Sequence, residues 1–150
     1  MTGVILQARL DSTRLPGKAL LDIQGEPMIV RAMRALNLVP ADIRILAMDS
    51  ASESLLSPLA EKNGFTAFVG PKEDVLGRFC LAIRQFGIDT VIRATGDNPL
   101  VSYELATLLT AEARESEADY AGYLGMPLGM GVEVVRAEAL ITASVETKDP

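Results

Sequence analysis

Histidine and tryptophan are absent from the 150 residues, and cysteine occurs once, as Cys80. Without histidine there is no His-based nucleophilic triad, no His general acid and no His-ligated zinc. A single cysteine cannot close an internal disulfide and offers no metal-ligand spacing. In a helical apolar stripe it is ordinarily packing. Aromatic residues make up 5% of the chain, too few for the stacking platform of a single-strand binder. The formal net charge of −6 is the wrong sign for duplex DNA, whose affinity rests on many cations facing phosphates. No apolar run approaches the ~20 residues needed to span a bilayer. The N-terminus enters a strand pattern without a signal-peptide core. A cytoplasmic location, with no nucleic acid and no membrane as partner, is therefore the expectation. Chemistry is left to carboxylates, lysine, arginine, hydroxyls, backbone groups or an oxygen-ligated metal.

What remains is ordinary globular material, 49% apolar and 23% charged, long enough for one domain over 1–150. Apolar periodicity alternates between strand and helix. Strands are predicted at 3–8, 43–48, 66–69, 90–95, 119–123 and 132–135. Helices are predicted from Pro27 through Leu36, after Ser57-Pro58 to about Asn63, from Asp74 to Phe86, from Ser102 to about Glu115, and near 137–145. Ser50 and Glu53 have the spacing of a capping box. Such an order predicts a three-layer α/β/α domain around a mostly parallel central sheet. Ligands of such sheets bind at the carboxyl ends of the strands, where three polar segments fall: 7–18, 70–78 and 95–99.

The first segment, "QARLDSTRLPGK", concentrates Arg9, Arg14 and Lys18 against Asp11 alone. Neither a Walker A loop nor a dinucleotide fingerprint is present. The ingredients still suit a phosphate cradle: an arginine fork, a lysine point charge, Ser12, Thr13 and amides near Gly17. A solvated strand-to-helix connection turning at Pro16-Gly17 fits the same residues, and composition leaves the two open. In "TGDNPL", Asp97 falls at the sheet's carboxyl edge, where a carboxylate can hold Mg²⁺ against a phosphate. Gly-Asp-Asn-Pro also forms a turn by itself, which is the safer assignment from residues alone. Arg93 lies inside a strand and needs a partner, with a structural carboxylate favoured over a site role. The apolar stripe of the 74–86 helix turns away from Arg78, leaving it for solvent or ligand. Lys72 reads as exposed. Asp49, which ends the second strand, is a weak candidate for a nucleotide contact.

The run Ala8-Arg9, Ser12-Thr13-Arg14-Leu15-Pro16-Gly17-Lys18 and Gly25-x-Pro27-Met28 resembles the N-terminal signature of the cytidylyltransferases that activate acidic sugars. It is most similar to the branch tied to spore-coat polysaccharide biosynthesis. "EDVLGRF" (73–79) and "TGDNPL" (95–100) agree with it. The resemblance implies a nucleotide-diphospho-sugar transferase fold of the glycosyltransferase A type. It also implies CTP and an acidic sugar as substrates, Mg²⁺ as cofactor, release of pyrophosphate, and a homodimer. Arg14, Lys18 and Asp97 would be the catalytic residues, with Asp97 the metal ligand. Arg9, Arg14 and Lys18 would hold the triphosphate. Gln7, Ala8, Ser12, Thr13, Gly17, Arg78, Thr95 and Gly96 would complete the nucleotide site. Asn98 and Glu133 would face the sugar. In "GMGVEVV", Gly131 stands where related sequences often carry aspartate, so that carboxylate's role has no bearer here. The chain is short for this family, implying a domain incomplete at its C-terminus. Two alternatives follow: a nucleotide-binding fragment without turnover, or a glycosyltransferase of the same fold using a nucleotide sugar.

Overall fold

Val4, Ile5 and Leu6 have no solvent exposure, because β1 (Thr2–Gln7) is covered on both faces and paired on both edges. The computed structural model describes residues 1–12 and 15–147. Its sheet has six strands in the order β3-β2-β1-β4-β6-β5. They are β1, β2 (Ile43–Met48), β3 (Thr66–Val69), β4 (Thr90–Thr95), β5 (Tyr120–Gly122) and β6 (Glu133–Arg136). The first four run parallel. β6 is antiparallel to β4, and β5 to β6. The carboxyl ends of β1 to β4 therefore share one edge, and the amino end of β6 meets them there.

Alternation along β1 divides the core. Val4 and Leu6 pack with residues of α1 (Met28–Leu36), α2 (Glu53–Lys62) and α4 (Tyr103–Glu115). Ile5 packs with residues of α3 (Val75–Phe86) and α5 (Ala137–Glu146). The three-layer α/β/α arrangement is thus the predicted one. Element bounds match the sequence patterning closely, with two corrections. The capping side chain is Asp49, not Ser50: its Oδ1 accepts from Ser52 N at 2.9 Å and caps the 3-10 turn Ser50–Ser52 that leads into α2. Pro58 does not start a helix but lies inside α2. Buried Leu56 and Ala60 hold that helix against the sheet despite the missing N–H donor. Cys80 is buried, as its place in the α3 stripe predicts.

The start of α3 explains part of the "EDVLGRF" sequence. Asp74 caps the helix, its Oδ1 accepting from Gly77 N at 2.6 Å. A Cβ on Gly77 would lie 2.1 Å from Asp74 Oδ2, so glycine makes room for the cap. Asp74→Ala is expected to destabilise the domain by about 1 kcal/mol, read as a lower urea midpoint at unchanged slope.

Candidate functional site

At the sheet's carboxyl edge β1 and β4 close on each other. Gly96 N donates to Gln7 O at 2.7 Å. A Cβ on Gly96 would stand 3.0 Å from Ala8 Cβ and 3.3 Å from Gln7 O. Beyond this closure the chain forms a cavity of about 410 Å³, lined among others by Gln7, Ala8, Arg9, Ser12, Lys18 and Asp97. Thr95 and Gly96 line it too. Gly17 turns the loop back with a φ of 70°, a conformation glycine adopts without strain, and its N–H donates to Leu10 O at 2.7 Å. That turn delivers Lys18 to Asp97, Nζ to Oδ2, at 3.1 Å. Two residues 79 positions apart in sequence meet where the family resemblance puts phosphate and metal. The predicted contributions of Thr13 and Arg14 lie outside the described residues.

Lys18 also shapes the Asp97 carboxyl. Partial burial pushes its pKa up, but hydrogen bonds from Lys18 and Thr95, the Lys18 charge and a backbone hydrogen bond hold it below the ordinary value. On the far side of the loop Asp11 pairs with Lys72 and lies 4.0 Å from Arg9. The Lys72 hydrogen bond, chiefly, lowers the Asp11 carboxyl. Lys72 is thus engaged, where sequence reading left it merely exposed. Nothing in the sequence signals this pair, since two loops 61 positions apart make it.

Arg78 departs most from expectation. It is fully buried, not turned to solvent. Gly70 has no side chain to block it: a Cβ there would lie 2.7 Å from Arg78 Cγ. Nη1 donates to Pro71 O at 3.0 Å, while Nε and Nη2 have no partner. Burial pushes the guanidinium's pKa down, against the attraction of Asp49. Asp49 is itself buried, with Oδ2 unpartnered. The remaining buried side-chain atom of this kind among the described residues is Gln7 Oε1. All these orphans belong to residues at the ends of β1 and β2 or the start of α3. Buried polar groups are rarely left unpaired; of these three residues Gln7 lines the cavity, while Asp49 and Arg78 are enclosed by protein.

A second cavity, of about 400 Å³, borders the first at Thr95 and takes in Asn98, Tyr123, Met126 and Glu133. Arg93 lines it as well. Its Nη1 donates to Glu133 Oε2, the carboxylate partner expected of an arginine in that strand. The Tyr120 hydroxyl donates to Glu133 Oε1 at 3.1 Å. Among the described residues no group of three or more Asp, Glu, His or Cys could enclose a metal. Asp97 therefore offers one carboxylate, compatible with an ion that takes its other oxygens from phosphates and water. No helix of the described residues is long and apolar enough to cross a membrane.

The sequence profile of a family described as cytidylyltransferase matches residues 3–149. The chain is 36% identical over 146 residues to the spore coat polysaccharide biosynthesis protein SpsF of Bacillus subtilis, covering 93% of this chain and 61% of that protein. It is 39% identical over 108 residues to a 3-deoxy-manno-octulosonate cytidylyltransferase of Chlorobium chlorochromatii, covering 70% and 42%. A cytidylyltransferase structure from Leptospira borgpetersenii superposes with a TM-score of 0.90 at 23% identity, covering 98% of this chain and 65% of that one. A CMP:2-keto-3-deoxy-manno-octonic acid synthetase solved with CTP gives 0.80 at 19%, covering 99% and 79%. These two likenesses establish the fold, and the chain spans less than two thirds of the curated relatives just named.

Proposed function

This chain belongs to the cytidylyltransferase family, and from that premise we propose that it transfers CMP from CTP to an acidic sugar, releasing pyrophosphate, for surface polysaccharide synthesis. The observation that carries the proposal is the Lys18–Asp97 meeting at 3.1 Å, within a cavity bordered by Arg9 and the first-strand backbone. Cations and a carboxylate converge there on the space a nucleoside triphosphate needs.

In this reading a sugar hydroxyl oxygen in the second cavity attacks the α-phosphorus. The bond from that phosphorus to the bridging oxygen breaks, and pyrophosphate departs with the electron pair. The hydroxyl proton passes to solvent water as the new P–O bond forms. Arg9 and Lys18, with Arg14 by family resemblance, hold the triphosphate and oppose its charge. Ala8, Gln7 and the Thr95-Gly96 backbone face the nucleoside. Ser12 supplies a loop donor, Gly17 makes the turn that shapes the loop, and Arg78 contacts the nucleotide by family resemblance. Asn98 faces the acceptor. Asp97 would hold magnesium, which when bound supplies positive charge at the phosphate oxygens. The cytoplasm, where CTP is made, is the proposed location, and a homodimer the proposed assembly.

A calorimetric panel of CTP, ATP, GTP and UTP with Mg²⁺ tests the nucleotide half. CTP is expected to bind tightest, and absence of any nucleotide binding would sink the proposal. Adding 3-deoxy-manno-octulosonate or N-acetylneuraminate with a pyrophosphate-coupled assay tests transfer. CTP binding without pyrophosphate release from either acid would favour the second reading, a nucleotide-binding unit without turnover. That reading draws its support from the 61% and 42% coverage of the relatives.

A further inference from the structure

The second cavity contains a single cation among the described residues, Arg93, and that cation already has a carboxylate. Arg93 on β4 stands directly opposite Glu133 on β6 in the strand register. One nitrogen of its fork, Nη1, is bonded to Glu133 Oε2. The guanidinium carbon lies 6.0 Å from the centre of the Phe79 ring, which steadies the side chain from below. Both side chains are about one-third exposed, at 34% and 35%. Two residues further along β4, Thr95 borders both cavities.

A cross-strand pair that served the sheet alone would need no cavity and no third member. Glu133 has a third member. Tyr120 holds its other oxygen, so Glu133 keeps a hydrogen bond if Arg93 turns to something else. An arginine carries five donors in a planar fork that fits a carboxylate two bonds at a time. Glu133 takes one of them, leaving the fork able to receive a second carboxylate.

We propose that Arg93 selects the acceptor by its carboxylate and that Glu133 is the built-in competitor for that selection. The inference rests on the transfer reading above and names the residue that recognises the acid. An acceptor bearing a carboxylate engages the Arg93 fork while Glu133 falls back on Tyr120. A neutral acceptor meets an arginine already satisfied and gains nothing from it. Glu133 thereby weakens binding of acids, which must displace it from Arg93, and leaves neutral acceptors, which do not engage that fork, unaffected. Arg93 is a specificity residue in this scheme, and Glu133 positions it.

The test uses the full chain saturated with magnesium and α,β-methylene-CTP, which blocks transfer. 3-Deoxy-manno-octulosonate, its carboxamide and N-acetylneuraminate are titrated onto wild type, Glu133→Gln and Arg93→Gln, with thermal melting to verify folding. Wild type is expected to prefer acid over amide. Glu133→Gln is expected to tighten the acid by roughly fivefold and leave the amide unmoved. Arg93→Gln is expected to make acid and amide equal, and Arg93→Lys to restore part of the difference. A purely structural pair predicts an acid-to-amide ratio unchanged in folded Glu133→Gln, and that result overturns the inference. So does a ratio that survives Arg93→Gln, or failure of both acids to bind wild type that holds the analogue. Failure of wild type to bind the analogue refutes the nucleotide reading itself, and the inference with it.

Discussion

Asp97→Asn is expected to lower CTP-dependent pyrophosphate release by roughly a hundredfold to a thousandfold and to leave the fold intact. Asparagine keeps the shape and one acceptor oxygen, so Lys18 retains a hydrogen bond. What disappears is the negative charge that a divalent cation needs at the strand's end. Stability should change little, because the Lys18 and Asp97 side chains are 38% and 51% exposed and pairs of that kind contribute about 0–1 kcal/mol. The pH behaviour follows from the lowered Asp97 carboxyl. A depressed carboxyl stabilises the folded state above the unfolded value near 3.8 and loses that contribution as pH falls through the lower folded value. At neutral pH Asp97 is therefore ionised and ready for a cation. The variant should lose this segment of the acid unfolding curve. Magnesium dependence gives the second readout: CTP affinity that rises with magnesium in wild type should become flat in Asp97→Asn. A variant within about threefold of wild type in rate, still responsive to magnesium, would remove Asp97 from the metal site.

Much of this arrangement was legible in the chain because it depends on local pattern. The strands over 43–48, 66–69 and 90–95 were readable from apolar runs, and they fall where expected. Gly87, which takes a φ of 65° to end α3, was readable from its position after the stripe. The Lys18–Asp97 meeting needed more: the family resemblance put both residues at one site, and only the fold shows them in contact. Features made by packing across the sheet left no trace in sequence. Arg78 looked free because helical periodicity places it off the apolar stripe. That argument ignores Gly70, whose missing side chain opens a slot for the arginine stem. Asp49 was readable as the residue ending the second strand, but its burial was not. Glu133 was readable as sugar-facing by resemblance alone, and its Arg93 and Tyr120 partners appear only when β4, β5 and β6 are placed side by side.

The buried arginine supports the second large prediction, in which stability and binding move in opposite directions. Arg78→Met alone leaves the buried Asp49 carboxylate without the opposing charge that Arg78 supplies. Removing a charge that opposes another buried charge is destabilising, by up to about 3–5 kcal/mol where the two are directly paired, so this variant should unfold at lower urea. Adding Asp49→Asn removes the stranded charge and preserves an acceptor for Ser52 N, the cap seen at 2.9 Å. Methionine fills the part of the slot beside Gly70 that the arginine stem occupies with an unbranched, adaptable chain. The double variant should therefore recover to wild-type stability or slightly above it, as buried pairs replaced by uncharged groups often do. CTP affinity should not recover. Both variants lack the two orphan nitrogens, and hydrogen bonds from a charged donor contribute about 1.5–3 kcal/mol. That corresponds to a loss of roughly tenfold to a hundredfold in affinity. Urea midpoints and calorimetric CTP titrations on the same four proteins (wild type, both single variants and the double) read the two quantities separately. If affinity returned together with stability, Arg78 would be a structural arginine whose loss merely loosened the site. If stability recovers and affinity stays low, the domain carries an unpaired buried charge for the sake of its ligand.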